Sequence, residues 1–145
     1  MTTLGPLRAA ERRALVTAIA EAERGHRGEI QLHLEARYPG DGPLGRAAAL
    51  FDEHGLDETR DGTGVLLYVA ELDRRVAVFA GPGVFGARSP EQWKDVCATV
   101  AAGYRDGDRV RGLTQGLKIL GEILRETAPG EDDAGNELPN EVHTS

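Results

Sequence analysis

The chain has 145 residues and a formal net charge of −7 at pH 7, a length typical of one domain with its own hydrophobic core. No apolar run approaches the roughly 20 residues of a membrane helix, and a single cysteine, Cys97, excludes an internal disulfide. With no signal peptide recognisable before the first charges, these features predict a soluble cytoplasmic protein without membrane insertion.

A helix and a strand are predicted first. Pro6 favours a helix start, and apolar residues follow at helical spacing until Gly25, which predicts the stop. Residues 29–35 then alternate, with Ile30, Leu32 and Leu34 on one face. This period of two predicts a strand whose polar face is less fully covered than that of the next strand.

A second helix and a hairpin follow. Residues 44–51 carry apolar side chains at i, i+3, i+4 and i+7, and the helix is predicted to end near Gly55. Two apolar runs, residues 65–70 and 76–80, are separated by only five residues, which predicts an antiparallel hairpin. The fully apolar first run indicates a strand covered on both faces. The first strand, this helix and the next strand form a right-handed, parallel β-α-β unit.

Two further helices complete the predicted body. Ser89 and Gln92 have the spacing of a capping box for the third helix, in which Cys97 is interpreted as a small buried hydrophobe. Residues 106–108 end this helix and cap a fourth. The fourth contains Gly112, Gly116 and Gly121, which indicates close backbone packing because each glycine costs about 1 kcal/mol relative to alanine.

The end of the sequence is acidic. Residues 131–145 hold five acidic residues and no Lys or Arg, which leaves −2 on the rest of the chain. A body without a basic cluster argues against nucleic acid as a partner. We interpret residues 129–145 as an acidic, disordered tail after a domain over residues 5–128. Within the tail, residues 136–139 are expected to dock transiently through Leu138.

Particular residues accompany this predicted order of helices and strands, and they occur in stretches along nearly the whole chain. The matching stretches are residues 27–30, 47–51, 55–56, 59–61, 64–70, 73–74, 83–84, 93, 104–107, 112–113, 121 and 136–139. In this ordered set the chain resembles the TPM-domain family, in its short soluble bacterial form without a signal peptide or membrane segment. The resemblance implies an α/β fold: a three-layer α/β/α sandwich, Rossmann-like, with a small mixed sheet and helices on both faces.

Function is predicted from the same resemblance. Family members have been linked to calcium binding, to acid phosphatase activity and to accessory roles for membrane complexes. The leading interpretation is a non-enzymatic interaction module for an unidentified protein partner, with Ca²⁺ as a candidate ligand. The alternative is a metal-dependent acid phosphatase acting on phosphomonoesters. The oligomeric state is left open.

One candidate ligand-binding edge lies where both parallel strands begin. Its members are Glu29, Asp61, Thr63, Gly64, Gly81 and Gly83. Carboxylate, hydroxyl and carbonyl oxygens are the ligands that Ca²⁺ prefers, so Glu29 and Asp61 are the candidate metal ligands. The alternative is that Asp61 supports a turn and Glu29 is a solvated strand end. The family frequently has an Asn and an acidic residue where this chain has Thr63 and Gly81, which removes oxygen ligands from this edge.

The opposite edge is the second candidate, since open α/β sheets bind ligands at the carboxyl ends of their parallel strands. Its members are Glu35, Glu71, Asp73 and Arg74. The alternative is a charged turn that is merely solvated. His33 and His54 have no partner at a metal-ligand spacing and are interpreted as surface or half-buried residues. Because no nucleophile or phosphate-binding motif is recognisable, no catalytic residue is predicted.

Overall fold

The computed structural model describes residues 5–85, 90–130 and 140–145. The helices of this part of the chain are α1 (Ala9–Ala22), α2 (Pro43–Glu53), the single turn α3 (Pro82–Phe85), α4 (Pro90–Arg105) and α5 (Arg109–Thr127). The strands are β1 (Glu29–Glu35), β2 (Gly64–Ala70), β3 (Arg75–Ala80) and β4 (Val142–Thr144). The predicted order of helices and strands is therefore present, with α3 and β4 in addition.

The strands form one mixed sheet in the order β3-β2-β1-β4. β2 and β3 pair as the predicted antiparallel hairpin, with Val65 opposite Ala80 and Ala70 opposite Arg75. β1 and β2 pair in parallel, as expected for strands joined through a helix. β4 adds a second parallel neighbour to β1.

Helices cover both faces of the sheet. On one face, apolar side chains of α1, α4 and α5 pack against alternate residues of β1 and β2, such as Leu32 and Leu67. On the other face, α2 packs Leu50 and Phe51 against the remaining β2 residues, among them Tyr68. This arrangement confirms the three-layer α/β/α sandwich.

The polar face of β1 differs from the prediction. All seven residues of β1 are buried, as are all seven of β2. The expected lesser coverage is wrong because side chains from α2, from its C-cap His54 and from the neighbouring strand β4 hydrogen-bond the polar side chains of β1. His33 and Glu35 are accordingly only 4% and 8% exposed.

The expected disordered tail also needs correction at its end. Residues 142–144 form β4, and Val142 is only 5% exposed because it joins the core beside β1. Arg12 of α1 donates a 2.6 Å hydrogen bond to the Val142 carbonyl. The predicted docking of Leu138 and the Ser89 cap both fall outside the described residues.

The glycines of α5 pack as their positions predicted. A Cβ atom on Gly112 would lie 2.8 Å from the Cα of Gly103 in α4, and one on Gly121 would lie 2.7 Å from the carbonyl oxygen of Ala22. Asp108 caps α5 by accepting a hydrogen bond from the amide of Arg111 at 3.1 Å. The close contacts of Gly112 with α4 and of Gly121 with α1 therefore require glycine at these two positions of α5.

Candidate functional site

We call the edge where β1 and β2 begin the amino edge. The structure brings its predicted residues together through the backbone. The Glu29 amide donates to the Thr63 carbonyl at 3.2 Å, and the Gly81 amide donates to the Gly64 carbonyl at 2.8 Å. The first predicted set is therefore a real neighbourhood in space.

The backbones of the amino edge pack without free space. A Cβ atom on Gly81 would lie 2.4 Å from the carbonyl oxygen of Gly62, and one on Gly83 would lie 2.2 Å from that of Asp61. Asp61 itself has a left-handed φ of 67°. Glycine is needed here for close packing, which is a structural role.

At the amino edge, Glu29 is buried and only 1% exposed, whereas the Asp61 side chain is 45% exposed. The Asp61 carboxylate forms an ion pair with Arg27, with 2.5 Å between Oδ2 and the guanidinium, so a cation already balances its charge. Among the described residues, no group of three or more His, Cys, Asp or Glu side chains is arranged to hold a metal ion. The calcium site therefore stays a prediction from the resemblance.

We call the opposite edge, where β1 and β2 end, the carboxyl edge. Here Glu35 accepts hydrogen bonds from Arg46 at 2.9 and 3.0 Å, from the Tyr68 hydroxyl at 2.5 Å and from the Ser145 hydroxyl at 2.9 Å. Burial alone would raise the pKa of Glu35, but these hydrogen bonds outweigh it and lower the pKa to about 2. Glu35 is thus a buried, ionised carboxylate held by three elements of the fold.

Three histidines gather beside Glu35, and we call His33, His54 and His143 the histidine layer. The His33 and His54 rings have nitrogens 2.9 Å apart, while His54 and His143 stack with ring centroids 3.9 Å apart. His143 also makes a 2.6 Å hydrogen bond with Gln31. The layer joins β1, the end of α2 and β4.

The chemistry of the partners fixes the hydrogen-bond direction through the layer. An ionised carboxylate can only accept, so Ser145 donates its proton to Glu35. The Ser145 oxygen then accepts from His33 Nε2 at 2.7 Å, which leaves His33 Nδ1 to accept from His54. His33 is therefore a donor to the serine, so it does not act as the base that would activate a serine nucleophile.

All three imidazoles are kept neutral. Burial and the neighbouring His54 lower the pKa of His33 to about 4. Burial, followed by the neighbouring His143, lowers the pKa of His54 below its ordinary value, and burial does the same for His143. Near pH 7 the layer is uncharged.

The remaining predicted residues of the carboxyl edge are also paired. Glu71 accepts hydrogen bonds from the Tyr104 hydroxyl at 2.7 Å and from Arg109 at 3.0 Å. Asp73 accepts from the Tyr38 amide at 2.8 Å. Arg74 adopts a left-handed φ of 57° in the hairpin turn. The turn is therefore anchored to α5 and to the segment after β1.

A cleft of about 320 Å³ opens at this edge, and we call it the switch-point cleft. Its lining includes Leu7, Leu34, Glu35, Glu71, Leu72 and Ser145. It lies between the carboxyl ends of the parallel neighbours β1 and β4, where the strand order β3-β2-β1-β4 reverses its direction relative to the sequence. Such a reversal marks the place where open α/β sheets bind ligands.

Comparison with known proteins agrees with this architecture. The family model described as the TPM domain matches residues 3–123, most of the chain. The chain belongs to the TPM-domain family.

Several solved structures are also similar to this chain. The NMR structure of the BA42 protein from the psychrophilic bacterium Bizionia argentinensis has 29% sequence identity and a TM-score of 0.87, with all of both chains covered. The N-terminal domain of a protein from P. gingivalis has 20% identity and a TM-score of 0.68, covering 86% of this chain and 80% of that one. The N-terminal domain of the cg2496 protein of Corynebacterium glutamicum has 10% identity and a TM-score of 0.65, covering 90% and 82%. The last two show the fold alone, and no functionally curated protein matches the chain.

This TPM domain contains functional candidates that sequence reasoning missed. They are Arg46, His54, Tyr68, Arg109, His143 and Ser145, and none of them lies at a recognisable spacing. The alternation of Gln31, His33 and Glu35 along β1 was the signal available. It indicates a polar strand face, but the partners come from far along the chain. In the described part of the TPM domain, none of the helices has the length and apolar character needed to cross a membrane.

Proposed function

We propose that this TPM domain is a non-enzymatic interaction module that binds an extended segment of a partner protein in the switch-point cleft. The observation that carries the proposal is an open cleft at the topological switch point whose acidic groups are already paired. Glu35 is bound by Arg46, and Glu71 is bound by Arg109. A site whose carboxylates are already paired favours an apolar or neutral ligand over a cation.

The lip of the cleft supports a protein ligand. Leu72, in the hairpin turn, is 50% exposed although it is a large apolar side chain, and it lines the cleft together with Leu7 and Leu34. Burial of such a side chain by a partner contributes roughly 1.5–3 kcal/mol. Leucine beside paired polar groups is the combination that peptide-binding clefts use.

The alternative functions have less support from the geometry. Ser145, whose hydroxyl lies at the cleft, donates its proton to Glu35 and accepts from His33, so neither group activates it for attack on phosphorus. The Asp61–Arg27 ion pair occupies the acidic group that a calcium-dependent role would use. The acid phosphatase and the calcium site therefore stay predictions from resemblance.

A peptide selection tests the proposal. We expect a phage-displayed random peptide library to yield binders that shift the amide resonances of Ala36, Leu72 and Ser145. Leu72→Lys should weaken binding by at least about tenfold, which corresponds to 1.4 kcal/mol. Leu44→Lys is the matched control, since Leu44 is 59% exposed on α2 and outside the cleft.

Two outcomes would overturn the interaction role. One is selected peptides whose binding is insensitive to Leu72→Lys. The other is sustained turnover of a chromogenic phosphomonoester at acidic pH by the purified chain.

A further inference from the structure

We propose that the histidine layer is a pH-sensitive latch that holds β4 on β1 near neutral pH and releases it in acid. The inference goes beyond the proposed binding role, because it concerns the chain's own edge strand and needs no ligand.

β4 is a short strand with little backbone attachment of its own. It has only three register pairs with β1, from Leu32–Val142 to Leu34–Thr144. Beyond them, the Ser145 amide donates to the Leu34 carbonyl at 3.0 Å, and Arg12 holds the Val142 carbonyl. A strand this short is marginal without side-chain contacts, so its docking depends on what its side chains bind.

The polar side chains of β4 and of Ser145 contact the other members of the histidine layer and Gln31. The His143 ring stacks on His54 with centroids 3.9 Å apart and hydrogen-bonds Gln31 at 2.6 Å. The Ser145 hydroxyl lies 2.7 Å from His33 Nε2. Two of the imidazoles thus stand on the fixed body of the protein, and the third stands on the strand that they hold.

Charged groups from every neighbouring element act on the layer. From β1 comes Glu35, from α2 come Arg46 and Glu53, and from the segment before β4 comes Glu141, whose carboxylate is 3.8 Å from His143. The carboxylates favour protonation and Arg46 opposes it, while Tyr68 of β2 bonds to Glu35. Burial and the crowding of the imidazoles outweigh the carboxylates, and the net direction is a lowered pKa for all three histidines.

The sign of the pH effect follows from linkage. With β4 docked, the imidazoles resist protonation, whereas release returns His143 to water and opens His33 and His54 to solvent. The released state therefore binds more protons below the ordinary histidine pKa of about 6.5, so docking weakens as the pH falls from there towards 4. Glu35, with a pKa of about 2, stays ionised over this interval and does not reverse the sign.

Release would change the surface at the carboxyl edge. Thr144 and Ser145 line the switch-point cleft, so their departure widens it. The backbone of Leu32, His33 and Leu34, which β4 pairs in the docked state, becomes an open strand edge. Acid would thereby convert a closed edge into one that accepts another extended chain.

Hydrogen exchange on the full chain tests the latch. Between pH 7.5 and 5 we expect the His143 and Ser145 amides to lose protection by at least about tenfold beyond the intrinsic pH dependence of exchange, while the β2–β3 hairpin keeps its protection. In the same samples, the imidazole resonances of His33, His54 and His143 should titrate below the ordinary histidine value, within the interval in which β4 opens.

A substitution separates the latch from a general acid effect. His143→Gln keeps a hydrogen-bonding group but cannot be charged, so it should flatten the pH dependence of β4 protection. His26→Gln is the control, because His26 is buried at the amino edge, where it contacts the Ala22 carbonyl; it should leave the pH dependence unchanged.

The wild-type titration decides the proposal even if β4 does not dock in His143→Gln. The proposal is overturned if β4 keeps its protection at pH 5, if β4 and the hairpin lose protection together, or if docked His143→Gln retains the full pH dependence.

Discussion

At the scale of single residues, the carboxylate of Glu35 organises the polar side of β1. Its oxygens accept from Arg46, Tyr68 and Ser145, which brings α2, β2 and the end of β4 to one point. A buried charge is strongly destabilising once its partner is removed. The guanidinium of Arg46 therefore matters more for stability than its partly exposed position on α2 indicates.

Arg46→Met should destabilise the protein by about 2–3 kcal/mol near pH 7, below the 3–5 kcal/mol of a fully buried pair because the Arg46 side chain is 23% exposed. The methionine preserves the aliphatic contacts and removes only the charge and its hydrogen bonds. Urea denaturation measures the change.

Arg37→Met provides the comparison. Arg37 also pairs with a carboxylate, that of Asp73, but its side chain is 68% exposed, so a change within about 0.5 kcal/mol is expected. Equal effects of the two substitutions would show that Glu35 does not depend on its arginine.

Arg27 gives a second prediction at this scale. Because its guanidinium holds the Asp61 carboxylate, millimolar Ca²⁺ should leave the amide resonances of Glu29, Asp61 and Gly81 unchanged in the wild-type chain. In Arg27→Ala the freed carboxylate should respond to Ca²⁺ with local shifts, whereas Arg24→Ala should behave as the wild type. Saturable shifts at these amides in the unmodified protein would restore the calcium site that the resemblance implies.

At the scale of elements, the contact between α4 and α5 depends on the absence of side chains. A Cβ atom on Gly112 would meet the Gly103 Cα and the Val100 carbonyl oxygen, each at 2.8 Å. These atoms belong to the backbone of a neighbouring helix, so they cannot rotate away as a flexible side chain does. The two helices would have to separate to admit even one methyl group.

Gly112→Ala should therefore destabilise the protein by about 1–3 kcal/mol, although alanine favours a helix by about 1 kcal/mol over glycine. Gly45→Ala in α2 supplies the opposite case, because a Cβ atom there meets nothing within 4 Å, and a gain of up to about 1 kcal/mol is expected. Thermal unfolding of both variants compares them, and a stabilised Gly112→Ala would contradict the packing argument.

The helices and strands differ in how well the local sequence predicts them. The hairpin of β2 and β3 and the helices α2, α4 and α5 follow from patterns within short windows, which carry their own apolar periodicity. β4 has only Val142 as a large apolar residue within an acidic segment, and it pairs with β1 from the other end of the chain. The histidine layer shares this difficulty, since spatial neighbours so far apart in sequence leave no local spacing.

At the scale of the whole molecule, the stability of the fold depends on ionisable groups that act in two separate pH intervals. The histidines have a lowered pKa in the fold, so their contribution is complete above about pH 6.5 and is lost below it, for His33 as the pH falls to about 4. The carboxylate of Glu35 has its pKa lowered from 4.5 to about 2. Its contribution is complete above pH 4.5 and is lost only below that value.

The urea midpoint should therefore fall in two stages as the pH is lowered. The free energy of unfolding should decrease by at least about 1 kcal/mol between pH 7 and pH 5. His54→Gln should reduce the upper stage, because it removes one neutral imidazole from the layer, and should leave the lower stage in place. A midpoint that is constant from pH 7 to pH 5 would contradict the lowered histidine pKa values.

The parallel pairing of β4 with β1 also sets an order of folding. Ser145 and Glu35 are 110 residues apart in the chain, so their contact closes a very long loop, whose entropic cost rises with its length. The hairpin and the β1-α2-β2 crossover close much shorter loops and can nucleate the sheet early. We therefore expect assembly to proceed from β3 towards β1, with β4 added in a slow final step after α4 and α5 have packed.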